Sequence, residues 1–175
     1  ASSRLARAAW QAAQRTRDRL DDRDRALLTA FTPYLSATVD PPGFQKAMDA
    51  AFDDYDDDEF RFWRAYAHLL NDDHEGARAI ATGGDPTFLM NAWIEGSAAL
   101  FAGDEEAGIA ALSRCAAAAP SSTKCLQELV GLHLRQGRCA EMEKTARELI
   151  SRAPDDAEPE RFLAYALAAE DVPLP

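Results

Sequence analysis

Apolar residues along this chain recur every three to four positions, with almost no alternation at period two, and the positions between them are rich in Ala, Leu, Arg and Glu. All four are strong helix formers, so the pattern predicts an all-α protein. Stop and start signals divide it into about ten helices. Ser2 or Ser3 caps a helix to Leu20, and the pair Asp21 and Asp22 caps a second to Leu35, which Pro33 shortens or kinks. Asp40 ahead of Pro41 and Pro42 opens a third, ending near Phe52, because proline suits the first helical turn, where its missing N–H is not needed. Asp56 to Asp58 cap a helix to Leu70, Asp72 or Asp73 a short one to Ala81, and Asp85-Pro86 one to Ala102. Helices over 104–118, 122–136, 138–152 and 156–170 complete the series. Connections of a few residues make consecutive helices antiparallel neighbours.

A repeat organises these helices. Pro86, Pro120 and Pro154 are spaced by 34 and 34, and Gly103 and Gly137 are also 34 apart, each 17 residues after a proline. Apolar positions keep the same step: Gly96, Val130 and Ala164; Leu129 and Leu163; Leu100, Leu134 and Ala168; Leu112 and Ala146. Each unit is therefore a helix, a glycine-bearing turn, a second helix and a proline-bearing turn.

A 34-residue period with this layout resembles the tetratricopeptide repeat, which has a small residue midway along its first helix, a glycine at the turn and a proline closing the second helix. Gly96, Gly103 and Pro120 fill these slots in one unit, and Val130, Gly137 and Pro154 in the next, followed by Leu163 and Ala164. A small side chain lets antiparallel helices approach, glycine relieves the reversal and proline stops the second helix. The resemblance is strong from Asp85 to Glu170 and weaker before. Asp56 stands only 30 residues before Pro86, implying a unit with a clipped second helix. Glu95 replaces an apolar residue, and Trp93 lies one position beyond the family's usual tryptophan.

The resemblance implies a single domain, a right-handed α-solenoid of antiparallel helix hairpins. Its parts are an N-terminal helix (1–21), a diverged hairpin (22–55), a shortened repeat (56–84), two repeats (85–120 and 121–154) and a capping helix with tail (155–175). The basic lead helix from Arg15 to Leu20, the stretch Leu20-Asp21-Asp22-Arg23-Asp24-Arg25 and the acidic turn Tyr55-Asp56-Asp57-Asp58-Glu59 are together similar to repeat arrays attached to bacterial serine/threonine kinases and related signalling regulators. No Gly-rich phosphate loop or catalytic His-Arg-Asp sequence is present, so any kinase would lie outside these residues.

Charge narrows the partners. The 175 residues carry 19 Lys plus Arg against 30 Asp plus Glu, a net charge of -11, which disfavours nucleic acid and anionic lipid. No run of about 18 apolar residues spans a membrane, and no signal-peptide pattern opens the chain. It begins with Ala and ends at Val172-Pro173-Leu174-Pro175, as expected of a processed chain or an excised piece. Residues 1–25 differ in sign, with seven Arg against four Asp. Arg4, Arg7, Arg15 and Arg19 are expected to solvate one face of a helix whose Leu5, Ala8, Ala9 and Ala12 pack inward. Attraction to an acidic surface, its own or a second copy's, is the alternative.

Reactive chemistry is sparse. His68, His74 and His133 form no pair at helical spacing and no cluster with cysteine, so no metal site is expected. Six carboxylates at positions 53, 54 and 56–59 invite calcium. Counting from Asp54, however, Glu59 sits where glycine is needed and Ala65 where a bidentate glutamate is needed. These acids instead end one helix and favour the N-terminus of the next, with Tyr55 turned inward. Cys115 and Cys125 fall at adjacent helix ends, so a disulfide across the Pro120 turn is sterically open, with buried free thiols as the alternative. Cys139 is left over, and the odd count without an export signal favours a reducing cytoplasmic compartment over an extracytoplasmic part of a larger protein. No catalytic set and no cofactor motif appears.

By resemblance, the function is that of a non-catalytic scaffold binding an extended or helical peptide in a concave groove. The family's groove positions fall on Phe60 and Trp63; Met90, Trp93 and Ser97; Lys124, Gln127 and Gly131; and Arg161 and Tyr165. This lining is aromatic at one end and cationic at the other. Lys124 and Arg161 are present without the asparagine that carboxylate-clamping members use. Self-association into a homo-oligomer is the competing reading, and a small helical enzyme a third.

Overall fold

The computed structural model describes residues 4–85, 87–119 and 122–169. Ser2 and Ser3, expected as caps, and Pro86 and Pro120, two of the three period-marking prolines, lie outside the described residues. The described residues form eleven α-helices and no strand. These are α1 (Arg4–Arg15), α2 (Asp22–Ala30), α3 (Thr32–Leu35), α4 (Pro41–Asp54), α5 (Asp58–Leu69), α6 (His74–Thr82), α7 (Leu89–Phe101), α8 (Glu105–Ala118), α9 (Lys124–Gln136), α10 (Cys139–Arg152) and α11 (Glu158–Ala169). The chain divides into two compact units, Ala1–Ile94 and Glu95–Pro175, with the division falling within α7. In each, helices run as antiparallel pairs, the arrangement of an α-solenoid.

Aspartates begin the helices. The side chains of Asp21, Asp40, Asp57, Asp73 and Asp104 accept hydrogen bonds from backbone N–H groups in the first turns of α2, α4, α5, α6 and α8, satisfying donors that a helix start leaves without partners. The expected helix from Asp21 to Leu35 breaks at Phe31, and Pro33 falls in the first turn of α3, where it has no N–H to lose. The lead helix stops at Arg15, where the Thr16 hydroxyl bonds the Ala13 carbonyl at 3.2 Å, and a short 3₁₀ turn over Arg17–Arg19 follows.

Three reversals share one geometry. Asp72, Gly103 and Gly137 have φ of 59°, 84° and 65°. The next residues, Asp73, Asp104 and Arg138, donate their N–H to the carbonyls of His68, Ala99 and His133 at 3.1, 2.9 and 3.0 Å. This is the Schellman motif, in which a left-handed residue returns the last carbonyls of a helix to hydrogen bonding. The exits from α4, α8 and α10 are alike, and that from α6 differs: Tyr55, Ala119 and Ala153 have φ of -135°, -127° and -137° and each donates its N–H to the residue four positions back, whereas α6 ends at Gly83 with φ of -78°. The repeat is therefore a repeat of turns as much as of helices.

Packing between α7 and α8 depends on two bare backbones. A Cβ at Gly96 would lie 2.6 Å from Leu112 Cγ, and one at Gly108 2.4 Å from Leu100 Cδ2. One repeat later the volumes are exchanged. Val130 and Ala146 occupy the positions of Gly96 and Leu112, both buried, while Met142 is buried in place of Gly108 and Leu134 is exposed. The sum of large and small is kept while the helix supplying bulk changes.

The first helix faces differently from expectation. Leu5 is 80% exposed, Ala8, Ala9 and Ala12 are exposed with it, and Arg7, Trp10, Ala13 and Gln14 are the half-buried side. Trp10 is the largest apolar group of α1, and its indole N–H reaches the Leu28 carbonyl at 3.3 Å. Seating this ring turns the Leu5 stripe outward. Arg4, Arg15 and Arg19 are solvated, as the sequence suggests.

Gly108→Val should destabilise the protein by about 1–3 kcal/mol through overpacking against Leu100. Gly131→Ala in α9, where only the Arg135 guanidinium lies nearby at 3.6 Å, should instead gain about 0.5–1 kcal/mol from helix propensity. Chemical denaturation of both variants checks the contrast.

Candidate functional site

In the first unit, Ala30, Phe44, Met48 and Ala67 form a buried core against which Phe31, Tyr34, Trp63 and Tyr66 are half-buried. The spacing of Phe62, Trp63 and Tyr66 places these rings on adjoining sides of α5. Phe31 meets Trp63 edge-on at 4.7 Å, Trp63 meets Tyr66 edge-on at 5.9 Å, and Phe62 and Tyr66 each lie 6.3 Å from Trp93. Edge-to-face contacts of this kind are favoured by the ring quadrupole and hold the rings in place. The Tyr34 and Tyr66 hydroxyls are 3.4 Å apart. Burial, reinforced by that contact, pushes the Tyr66 phenol up to about 12. Trp63 and Trp93 are thus half-buried members of one aromatic face, and Met90 is exposed at the start of α7.

Phe60, expected in the groove, is instead 0% exposed. It stacks on Tyr55 at 5.4 Å and lies beneath the Arg23 guanidinium at 5.2 Å. The acidic turn is used internally. Arg23 bridges Asp57 at 2.7 Å and Glu59 at 2.8 Å, Arg61 pairs with Asp56, and Asp58 accepts from the Asp85 N–H and the Asn91 amide, both at 2.9 Å. Burial pushes the Asp57 carboxyl up, but Arg23 and the N–H groups of Phe60 and Glu59 outweigh it and hold its pKa below the ordinary value. No three His, Cys, Asp or Glu side chains among the described residues stand together as metal ligands. On α5, His68 lies between Asp73 at 2.7 Å and Asp49 at 3.2 Å, and Asp49 also binds Arg64 at 2.6 Å. The His68 bond and the Gly76 N–H hold the Asp73 carboxyl below its usual range.

In the second unit Ser97 is 5% exposed; it lies one residue from Gly96, where α7 packs closely on α8, and does not line a groove. Lys124 and Arg161 are exposed, and each pairs within its own helix, with Glu128 at 3.1 Å and Glu158 at 3.0 Å. Gln127 and Gly131 are half-buried, the latter beside the Arg135 guanidinium, and Tyr165 is exposed. A cavity of about 320 Å³ that the sequence did not reveal lies between α8, α9 and α10, lined by Ile109, Leu126, Leu129, His133, Lys144 and Glu148 among others. His133 is buried there, its Nδ1 has no hydrogen-bond partner, and burial lowers its pKa. Cys115 and Cys125 are joined by a disulfide, their Cα atoms 6.1 Å apart.

No protein-family model and no curated protein matches the chain. Among solved structures it is similar to the crystal structure of MamA, a protein containing tetratricopeptide repeats, at a TM-score of 0.68 and 16% identity over 87% of this chain and 86% of that chain. The fold is tetratricopeptide-like. The likeness extends over most of both chains, whereas the 34-residue period was strong only beyond Asp85. No helix among the described residues is long and apolar enough to cross a membrane.

The unfolded His133 imidazole takes its proton near 6.5 and the folded one at lower pH. Its contribution to stability is therefore full above pH 6.5 and is lost as the pH falls through the lowered folded value. A proton NMR titration should place the ring's midpoint below 6.5; a midpoint above that value contradicts the buried environment.

Proposed function

We propose that the chain is a non-catalytic protein-interaction scaffold whose aromatic face in the first unit takes an apolar anchor of a partner peptide. The observation that carries this reading is the convergence of Trp63, Tyr66 and Trp93, all half-buried, with Trp63 edge-on to Tyr66 and Trp93 tilted against Tyr66 at 6.3 Å. Rings fixed before binding lose little freedom on contact, which makes tryptophan and tyrosine effective anchors. In the second unit, taken by itself, Lys124 and Arg161 are exposed cations that suit acidic groups of a protein partner. The Arg161–Glu158 pair is exposed and within one helix, a class worth about 0.2–1 kcal/mol, so its exchange for an external carboxylate costs little.

Self-association is the second reading, favoured by the Leu5, Ala8, Ala9 and Ala12 stripe that α1 turns to solvent beside Arg4 and Arg15. A basic flank with an apolar centre matches the acidic character of the remaining chain.

A partner captured by pull-down should bind Trp93→Ala weaker by about 2 kcal/mol or more, as a hot spot would, and Arg161→Glu should weaken an acidic partner. Unchanged affinity with lowered stability would make Trp93 core. Light scattering that shows mass rising with concentration, and a loss of that rise in Leu5→Glu, would favour self-association instead.

A further inference from the structure

We infer that this chain acquires its fold in a thiol-oxidising compartment, because the α8–α9 hairpin is closed by a structural Cys115–Cys125 bridge. The two residues are 2% and 1% exposed. A catalytic or sensing cysteine pair must be reached by an attacking thiolate, and buried sulfurs are not. The bridge therefore belongs to the architecture and not to a redox cycle.

Its position supports that role. It spans the exit from α8, where the Arg152 guanidinium from α10 donates to the carbonyls of Ala116, Ala119 and Ser122 at 3.0, 3.2 and 3.2 Å. The covalent link and the guanidinium both tie down the end of α8. One repeat later, the positions of Cys115 and Cys125 are held by Leu149 and Pro159, both fully buried, and the turn at Ala153 has the same conformation as that at Ala119. The hairpin geometry thus does not require sulfur. A buried apolar pair serves the α10–α11 exit, and the cysteine pair serves the α8–α9 exit where oxidation can join it.

Bond formation removes two protons and two electrons, so a two-electron oxidant is needed, and the oxidant we name is a disulfide of the thiol oxidoreductase or oxidised glutathione class. One cysteine thiolate attacks the oxidant's disulfide, forming a mixed disulfide and releasing the oxidant's other sulfur as a thiolate. The second cysteine thiolate then attacks the chain's own sulfur in the mixed disulfide, and the oxidant ends reduced, as a dithiol from an oxidoreductase or as two thiols from glutathione. Burial of both sulfurs places these exchanges before the hairpin closes. Cys139, the first residue of α10, is separated from Cys125 by nearly the length of α9, about 20 Å once that helix forms. It cannot compete at that stage. This assignment replaces the reducing compartment suggested by the odd cysteine count, and it stands independently of the aromatic-face reading.

The test is made in the cells that naturally produce the chain. Cells are quenched in acid, the protein is denatured, and its thiols are labelled with a polyethylene glycol maleimide, each label adding one step on a gel. A sample reduced beforehand sets the three-step reference. We expect a single step, abolished by Cys139→Ser, with the bridged chain recovered among exported proteins on fractionation. Three steps without prior reduction, a single step that survives Cys139→Ser, or a bridged chain among cytoplasmic proteins would each overturn the inference. Because labelling is done on denatured protein, the readout does not depend on whether a variant folds.

Discussion

The reversals from α5 to α6, from α7 to α8 and from α9 to α10 govern this structure. Each demands a residue with positive φ, followed by an N–H that reaches back to a carbonyl five residues earlier. Asp72, Gly103 and Gly137 meet that demand with the same two hydrogen bonds. A left-handed residue costs an ordinary side chain about 1–2 kcal/mol, so glycine and, less often, aspartate are selected there. Once the reversal is set, the following helix must return antiparallel to the one before it, and burial of their facing sides follows.

Packing then works under a volume rule instead of a fixed residue rule. Gly96 with Leu112 and Val130 with Ala146 distribute small and large residues in opposite order across equivalent helix pairs. Leu100 covers the bare backbone of Gly108, whereas Met142 fills the equivalent site and leaves Leu134 at the surface. Interiors close-packed to organic-crystal density tolerate such exchanges when the sum is kept.

Much of the fold was legible because helix signals are local. Aspartates before apolar runs marked starts, and Gly103 and Gly137 marked turns whose φ requires them. The third turn was concealed, since Asp72 performs in the left-handed region what a search for glycine would miss. The candidate site was less legible because burial is set by neighbours distant in the chain. Phe60 lies under Arg23, a residue 37 positions earlier, and Trp10 sets the rotation of α1 through a carbonyl 18 residues away. Arg152 reaches the exit from α8 across more than thirty residues, and no local spacing announces it. In the aromatic region Trp63 and Trp93 share Phe62 and Tyr66 as ring neighbours, contacts that arise within α5 and between α5 and α7.

The left-handed reversal at Asp72 is the most exposed part of this account, because that residue alone lacks the glycine that its two counterparts share. Stability of Asp72→Gly by chemical denaturation tests it directly. With φ at 59°, glycine relieves the side-chain cost of the turn, and the variant should be as stable as the parent or more so. A loss of about 0.5–1 kcal/mol, the entropic penalty glycine carries at an ordinary backbone position, would contradict the shared geometry of the three turns.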